Sequence, residues 1–283
     1  MLKESKHLKQ YVAIFEVLVC HDGMILNSDV FHVAKVVTAT DWVDAQMKAR
    51  DQYPKEWDFK CISEKGNYDR WARLFGRIFE RKVDQTTLRS LCTEHYANFI
   101  ARYTEPHRFY HTINHIMDCL DELEQFKQAV IDPDAIELAL WYHDAIYDAK
   151  EEDNEEMSVR LFLIEFVARY LPGLIDKKFA QQVRRLILAT KQDKVPTEID
   201  DQLINDIDLS IFGQSETKFD EYERQIRKEH EWLPDEVYAT KRSAIIKSFL
   251  ERLTIYSTDF FRDKYEAQAQ QNLKRSLAHL HSR

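Results

Sequence analysis

Two histidines one helical turn apart, His111 and His115, are followed by the dipeptide His143-Asp144 and, much further on, by Asp208. Neutral imidazole and carboxylate are the side chains that bind hard or borderline divalent cations. Four of the eleven histidines fall between positions 107 and 143, a concentration that sets this segment apart. Together these segments supply imidazoles and two carboxylates, a primary sphere for one ion with room for water.

The elements carrying these residues can be read from periodicity. Ile113, Ile116, Met117, Leu120 and Leu123 form an apolar stripe on a helix expected over 112–127, while His111, His115, Asp118 and Glu122 form a second stripe roughly opposite. That polar stripe reads either as a solvated face or as the lining of a cleft. A helix expected over 133–148 is apolar nearly all round through Leu138-Ala-Leu-Trp-Tyr142. This buries His143 and Asp144, and a buried carboxylate needs a cation or strong donors. A structural His-Asp pair would satisfy that need, and so would a metal. Asp208 lies between Ile207 and Leu209 on an expected helix over 200–212. Asp206 points elsewhere, as a cap or a group supporting the ligands from behind.

The whole chain of 283 residues suggests one large domain or two. Five scattered glycines and six prolines point to a mostly helical protein and exclude a glycine-rich phosphate loop. Residues 10–64 differ. Tyr11–Val19 and Met24–Thr38 read as strands, Asp41–Tyr53 as a helix and Glu56–Ser63 as a third strand, giving a small ββαβ unit that ends near Gly66. The expected architecture is therefore a small α+β domain over 1–66, of unassigned role, and a helical domain over 67–283. Further helices are expected near 68–81, 84–103, 153–171, 176–191, 216–231, 234–256 and 259–280.

A net charge of −9 argues against a nucleic-acid footprint. Four widely spaced cysteines give neither a zinc ribbon nor a disulfide framework. No signal-like h-region and no apolar run near 18 residues is present, so the expectation is a cytoplasmic protein with free thiols and no membrane association.

The pattern His…His-Asp…Asp resembles the HD superfamily of metal-dependent phosphohydrolases. Residues 68–283 are similar to a bacterial family of predicted HD phosphohydrolases through Tyr103-Thr-Glu-Pro-His-Arg-Phe-Tyr-His-Thr-Ile-Asn-His-Ile116, Trp141-Tyr-His-Asp-Ala-Ile-Tyr147, Asp153-Asn-Glu155, Ala189-Thr-Lys191 and Asp206-Ile-Asp-Leu-Ser-Ile-Phe-Gly213. The first stretch also resembles the signature of the cyclic nucleotide phosphodiesterases, a related HD-type fold. The resemblance implies an HD-type helical bundle in which His115, His143, Asp144 and Asp208 hold a divalent metal (Mn, Mg, Zn, Fe or Co), one ion with a second open. It implies His111 as general acid and Asp144 as a catalytic carboxylate on the attacking water. Arg108 and Lys191 are the candidates for neutralising substrate phosphate, with a surface charge as the bland alternative for each. The chain departs from the pattern at Thr112, where the phosphodiesterases carry Asn, and at Gln192-Asp193, where relatives carry His.

The implied activity is metal-dependent hydrolysis of a phosphomonoester or phosphodiester, in a nucleotide. The competing reading is a non-catalytic protein that senses a nucleotide or partner through the same pocket. The N-terminal unit, with exposed strand edges, is the candidate surface for a protein partner or a second copy.

Overall fold

The computed structural model describes residues 9–21, 24–39, 42–52, 58–79, 82–169, 173–192 and 196–281. The chain divides into two compact units, Met1–Thr104 and Glu105–Arg283.

The first unit begins with the ββαβ order expected from sequence: β1 (Lys9–His21), β2 (Met24–Ala39), α1 (Trp42–Gln52) and β3 (Asp58–Glu64). The strands form one antiparallel sheet in the order β2-β1-β3. In register, Tyr11 lies opposite Val37 on one side and Glu64 on the other. Alternation sends Tyr11 and Ala13 to one face, where Val37, Ala39, Ala45 and Ala49 complete a small core against α1. Val12 and Ile14, on the opposite face, are equally buried, so central β1 is apolar on both sides.

The unit does not stop near Gly66, where turn chemistry suggested a boundary. It includes α2 (Lys65–Phe79) and α3 (Gln85–Tyr103). The reason is packing: both helices lie against the sheet, and they are locked to each other by aromatic residues. Trp71, Leu74, Phe75, Ile78 and Phe79 form the buried stripe of α2. Trp71 Nε1 donates to the Cys92 carbonyl at 2.9 Å, and the Trp71 ring meets Phe99 edge-on. Asp84 caps α3 by accepting from the Thr86 and Thr87 amides.

The second unit is entirely helical in its described residues. Its elements are α4 (Ile113–Phe126), α5 (Pro133–Tyr142), α6 (Asn154–Leu161, continued by wider turns Phe162–Arg169), α7 (Lys177–Ala189) and α8 (Ile199–Asp208, tightening into a 3-10 turn Leu209–Gly213). Then come α9 (Glu216–Glu229), α10 (Asp235–Leu250), the short α11 (Asp259–Phe261) and α12 (Ala267–Leu280). Every residue of α5 from Ala135 to Tyr142 is buried, and α4, α7 and α8 pack around it. Asp132 caps α5, Pro133 occupies its first turn, and the buried Asp200 accepts from the Ile131 and Asp132 amides.

Helix α5 ends at Tyr142, six residues short of the expected boundary at 148, and that ending matters for the site. No described helix is long and apolar enough to cross a membrane. Cys92 and Cys119 are free and buried.

The far end of α8 is fixed by two devices. Asp206 accepts from the amides of Ser257 and Thr258 and from the Thr258 hydroxyl at 2.7–2.8 Å, so it caps α11. Burial nevertheless pushes its carboxyl up to about 6. Gly213 passes so close to Tyr265 that a Cβ there would overlap that side chain, while buried Asn272 donates to the carbonyls of Phe212 and Gln214 on either side. Gly213→Ala should therefore destabilise the protein by about 1–3 kcal/mol through overpacking. Thermal or urea unfolding reads this directly, and wild-type stability in the variant would show that Tyr265 moves aside freely.

Candidate metal centre

Three helix ends converge on one point. His115 sits in the first turn of α4, whose Ile116, Cys119, Leu120 and Leu123 are buried. His143 follows the last residue of α5 in helical conformation, its amide still bonded to the Ala139 carbonyl. Asp144 comes next, and Asp208 is the last residue of α8. The C-terminal ends of α5 and α8 thus face the cluster, and their dipoles favour a positive charge there.

His115 Nε2 lies 3.2 Å from His143 Nε2 and 3.2 Å from Asp208 Oδ1. Asp144 Oδ2 is 3.1 Å from His143 Nε2 and 3.4 Å from His115 Nε2. Donors on one cation at about 2.1 Å, at tetrahedral to octahedral angles, stand roughly 3.0–3.4 Å apart. His115, His143 and Asp208 form a group that could hold a metal ion. Asp144 adds a second carboxylate oxygen beside both rings.

The tautomers strengthen the case. His143 Nδ1 is 2.8 Å from the Leu140 carbonyl, an acceptor only, so Nδ1 carries the proton. A neutral His143 then turns its Nε2 lone pair toward another imidazole nitrogen and two carboxylate oxygens. Three fixed acceptors and His115 Nε2 face inward, and a metal, or protons on the rings, completes the centre. Without a metal it is protons. Burial opposes charge on both imidazoles, yet the balance is upward: Asp144 and Asp208 raise His143 well above the ordinary histidine range, and Cys119, Tyr110 and the same two carboxylates do so for His115. Against the cost of its own burial, Asp208 is held down at about 2 by the two rings, and Asp144 lies well below the usual carboxylate range beside His143 and His111.

His111 stands beside this cluster, held by a residue the sequence did not single out. Its Nδ1 donates to Glu229 Oε2 at 2.7 Å. Glu229 Oε1 accepts from the amides of Phe109, Tyr110 and His111 at 2.7–3.0 Å, and Tyr147 donates its hydroxyl to Oε2 at 3.0 Å. The Tyr147 ring stacks on the His111 ring with centroids 3.9 Å apart. Glu229 pays for its burial with these bonds, and with His111 beside it the carboxyl is held at about 2. The arrangement fixes one His111 tautomer and leaves Nε2 free to hold or give a proton. One signal for Glu229 was legible: an acid in the last turn of α9 runs against the helix dipole and asks for a partner.

Arg108 is a correction. Expected on substrate phosphate, its side chain is only 1% exposed and forms an ion pair with Glu105 at 2.9 Å. Its guanidinium donates to the carbonyls of His111, Asp144 and Ala145 at 3.3, 2.6 and 3.2 Å. Because α5 ends at Tyr142, the carbonyls of Asp144 and Ala145 are free of helical bonds, and Arg108 satisfies them together with that of His111. It ties the His111 loop to the His143-Asp144 segment. Lys191 is also engaged, with the Glu152 carbonyl and the Glu156 carboxylate at 2.9 and 2.7 Å, so it braces the start of α6.

The neighbouring residues fall into place around the ligands. Gln192, in the left-handed region at φ 59°, donates its amide to Asp208 Oδ2 at 3.2 Å. Asp193, its neighbour, lies outside the described residues. Thr112 precedes α4 without a side-chain capping bond. Asp153 does not cap α6 through its side chain either; Asn154 instead ties the Asp148–Glu151 turn by three bonds. Burial, with a lesser contribution from Asp144, raises the Glu155 carboxyl above its ordinary range. On the polar stripe of α4, Glu122 is buried against Lys264 and Tyr265, while Asp118 is exposed.

The cluster opens to solvent through its carboxylates, with side-chain exposures of 13% for Asp144 and 19% for Asp208. A cavity of about 210 Å³ behind His115, lined by Tyr110, Cys119 and Lys218, is below the size of ligand pockets. The large cleft of about 1160 Å³ between α9, α10 and α12 is lined by none of the cluster residues. Chemistry, not cavity size, locates this site. No family model, curated protein or solved structure matches the chain.

The raised imidazoles give a pH dependence. In metal-free protein, their stabilising charge is complete below the ordinary histidine pKa and is lost as pH rises through the raised folded values. That of Asp208 is complete above the ordinary carboxylate range and is lost as pH falls toward 2. A metal must displace the ring protons. Calorimetric titration of Zn²⁺ or Mn²⁺ into metal-free protein at pH 7, in two buffers of different ionisation enthalpy, should give buffer-dependent heats that report proton release. Identical heats in both buffers would mean that the rings were already neutral.

Proposed function

We propose that this protein is a metal-dependent phosphohydrolase of HD type that cleaves a phosphate ester, with a nucleotide as substrate. The observation that carries the reading is the meeting of His115, His143, Asp144 and Asp208 around one point, with a histidine whose tautomer is locked beside them. A structural ion pair explains two such groups, not a set of four plus a separately buttressed imidazole. The resemblance of Tyr103–Ile116, Trp141–Tyr147 and Asp206–Gly213 to HD motifs points the same way.

His115, His143, Asp144 and Asp208 would hold the ion. A divalent cation bound there lowers the pKa of a water toward about 7 and polarises a phosphoryl oxygen. The chain's own groups do the rest. Asp144, ionised throughout the neutral range, accepts a hydrogen bond from the attacking water and orients it. The water oxygen bonds to phosphorus while the bond from phosphorus to the leaving oxygen breaks. His111 gives its Nε2 proton to that oxygen, and Glu229 stabilises the imidazolium before transfer. The proton lost by water returns to His111 through solvent, which closes the cycle. Arg108 keeps the acid and the ligand segment in fixed relation by binding carbonyls of both.

The test is phosphate release from a nucleotide panel with Mn²⁺, Mg²⁺, Zn²⁺ or Co²⁺. Asp144→Ala should lose turnover while keeping its helical circular dichroism; unchanged turnover would remove the assignment. His111→Ala should lower kcat on nucleotides by about 10²–10⁴-fold, the usual range for a general acid. The loss should be far smaller on p-nitrophenyl phosphate, whose phenolate leaves without a proton. Equal losses on both substrates would take His111 out of the acid role. Arg108→Ala, by contrast, should act on folding: loss of a buried group with four partners should cost about 3–5 kcal/mol in unfolding measurements.

A further inference from the structure

Two aromatic residues flank the His111 buttress, and each carries a lysine. Trp232 is 46% exposed, an unusual state for a residue whose large apolar surface normally goes inside. Lys150 Nζ lies 5.7 Å from the centroid of its ring. Phe109 is half-buried, with Lys228 Nζ at 4.2 Å from its centroid. Both lysines are exposed, and neither ammonium has a carboxylate partner among the described residues.

The chain places both pairs close to the acid. Phe109 bonds Glu229 through its own amide. Trp232 follows Glu229 by three residues and Lys150 follows Tyr147 by three, and three residues span at most ~10 Å. Trp232 is not on a loose loop. The turn after α9 is closed by the Leu233 amide on the His230 carbonyl at 3.0 Å. Arg227 clamps the same turn by donating to the carbonyls of His230 and Leu233 at 2.7 and 3.1 Å and to Asp235. The ring is held out from the surface by a braced turn.

On the phosphohydrolase reading the leaving group takes its proton from His111, and the two supports of that ring, Glu229 and Tyr147, adjoin both pairs in the chain. An aromatic ring and a free ammonium at each of two positions match a planar base with additional phosphates. We propose that this rim is the subsite for the nucleotide portion of a nucleoside polyphosphate, with the base stacked on Trp232 and the non-reacting phosphates held by Lys150 and Lys228. It rests on the phosphohydrolase reading for its orientation, since the scissile phosphoryl group is the one at the cluster. The chain's net charge of −9 favours a free nucleotide over a nucleic acid here.

Calorimetric binding of ATP, AMP and inorganic tripolyphosphate to the full chain in EDTA tests this without turnover. Trp232→Ala should weaken ATP and AMP by about ten-fold, within the range for one base on one ring, and leave tripolyphosphate unchanged. Trp232→Phe should keep most of the affinity, which separates stacking from misfolding. Lys150→Ala with Lys228→Ala should weaken ATP more than AMP. ATP affinity equal in wild type and Trp232→Ala, or a Trp232→Phe variant as weak as Trp232→Ala, would overturn the subsite. The two readings fail separately. Trp232-dependent binding with no hydrolysis under any metal leaves the subsite and removes the enzyme. Hydrolysis with Trp232-independent binding does the reverse.

Discussion

Two imidazole nitrogens and two carboxylates that face one another inside a helical bundle cannot be left without a metal or a proton between them. His143 has committed its Nδ1 proton to the end of its own helix, so its other nitrogen joins His115, Asp144 and Asp208 around a point that demands positive charge. Much of the second unit serves that demand. The apolar length of α5 drives the His-Asp pair inward, and the endings of α5 and α8 turn dipoles toward it. A bundle with these residues replaced by hydrophobes would be simpler to fold. Keeping them is intelligible when a cation occupies the centre.

Around this point the polar groups are arranged in depth. Glu229 holds His111, and Tyr147 covers the face of the same ring. Gln192 holds Asp208 from a backbone conformation that few residues adopt readily. These supports come from α9, from the turn after α5 and from the end of α7, elements far apart in sequence. Such outer partners orient ligands and keep a site from relaxing when its occupant leaves.

Periodicity made much of the architecture legible. The apolar stripe of α4, the fully apolar α5 and the β-branched run of β1 each announced their element, because burial imposes a pattern on neighbouring residues. The ββαβ order was readable for the same reason. The end of α5 was not, since Ala145 and Ile146 continue the apolar pattern after the helix has stopped. The extent of the first unit was also hidden: whether α2 belongs with the sheet or with the later helices depends on which surface Trp71 meets, and that is a long-range fact. At the site, the cluster residues could be named because their types are rare in apolar segments. Arg108 and Glu229 could not be assigned, because a charged residue beside a motif looks the same whether it faces a substrate or a carbonyl group.

One guanidinium binds the carbonyls of His111, Asp144 and Ala145. The His111 loop and the His143-Asp144 segment are therefore tied together crosswise rather than along the chain. Separating the two segments would break three carbonyl bonds of the buried guanidinium at once. Elsewhere, the start of α6 meets the end of α7 through Lys191. A half-buried lysine contact and a buried arginine thus brace the two segments beside the cluster in different ways, one by an ion pair near solvent and one by carbonyls out of it.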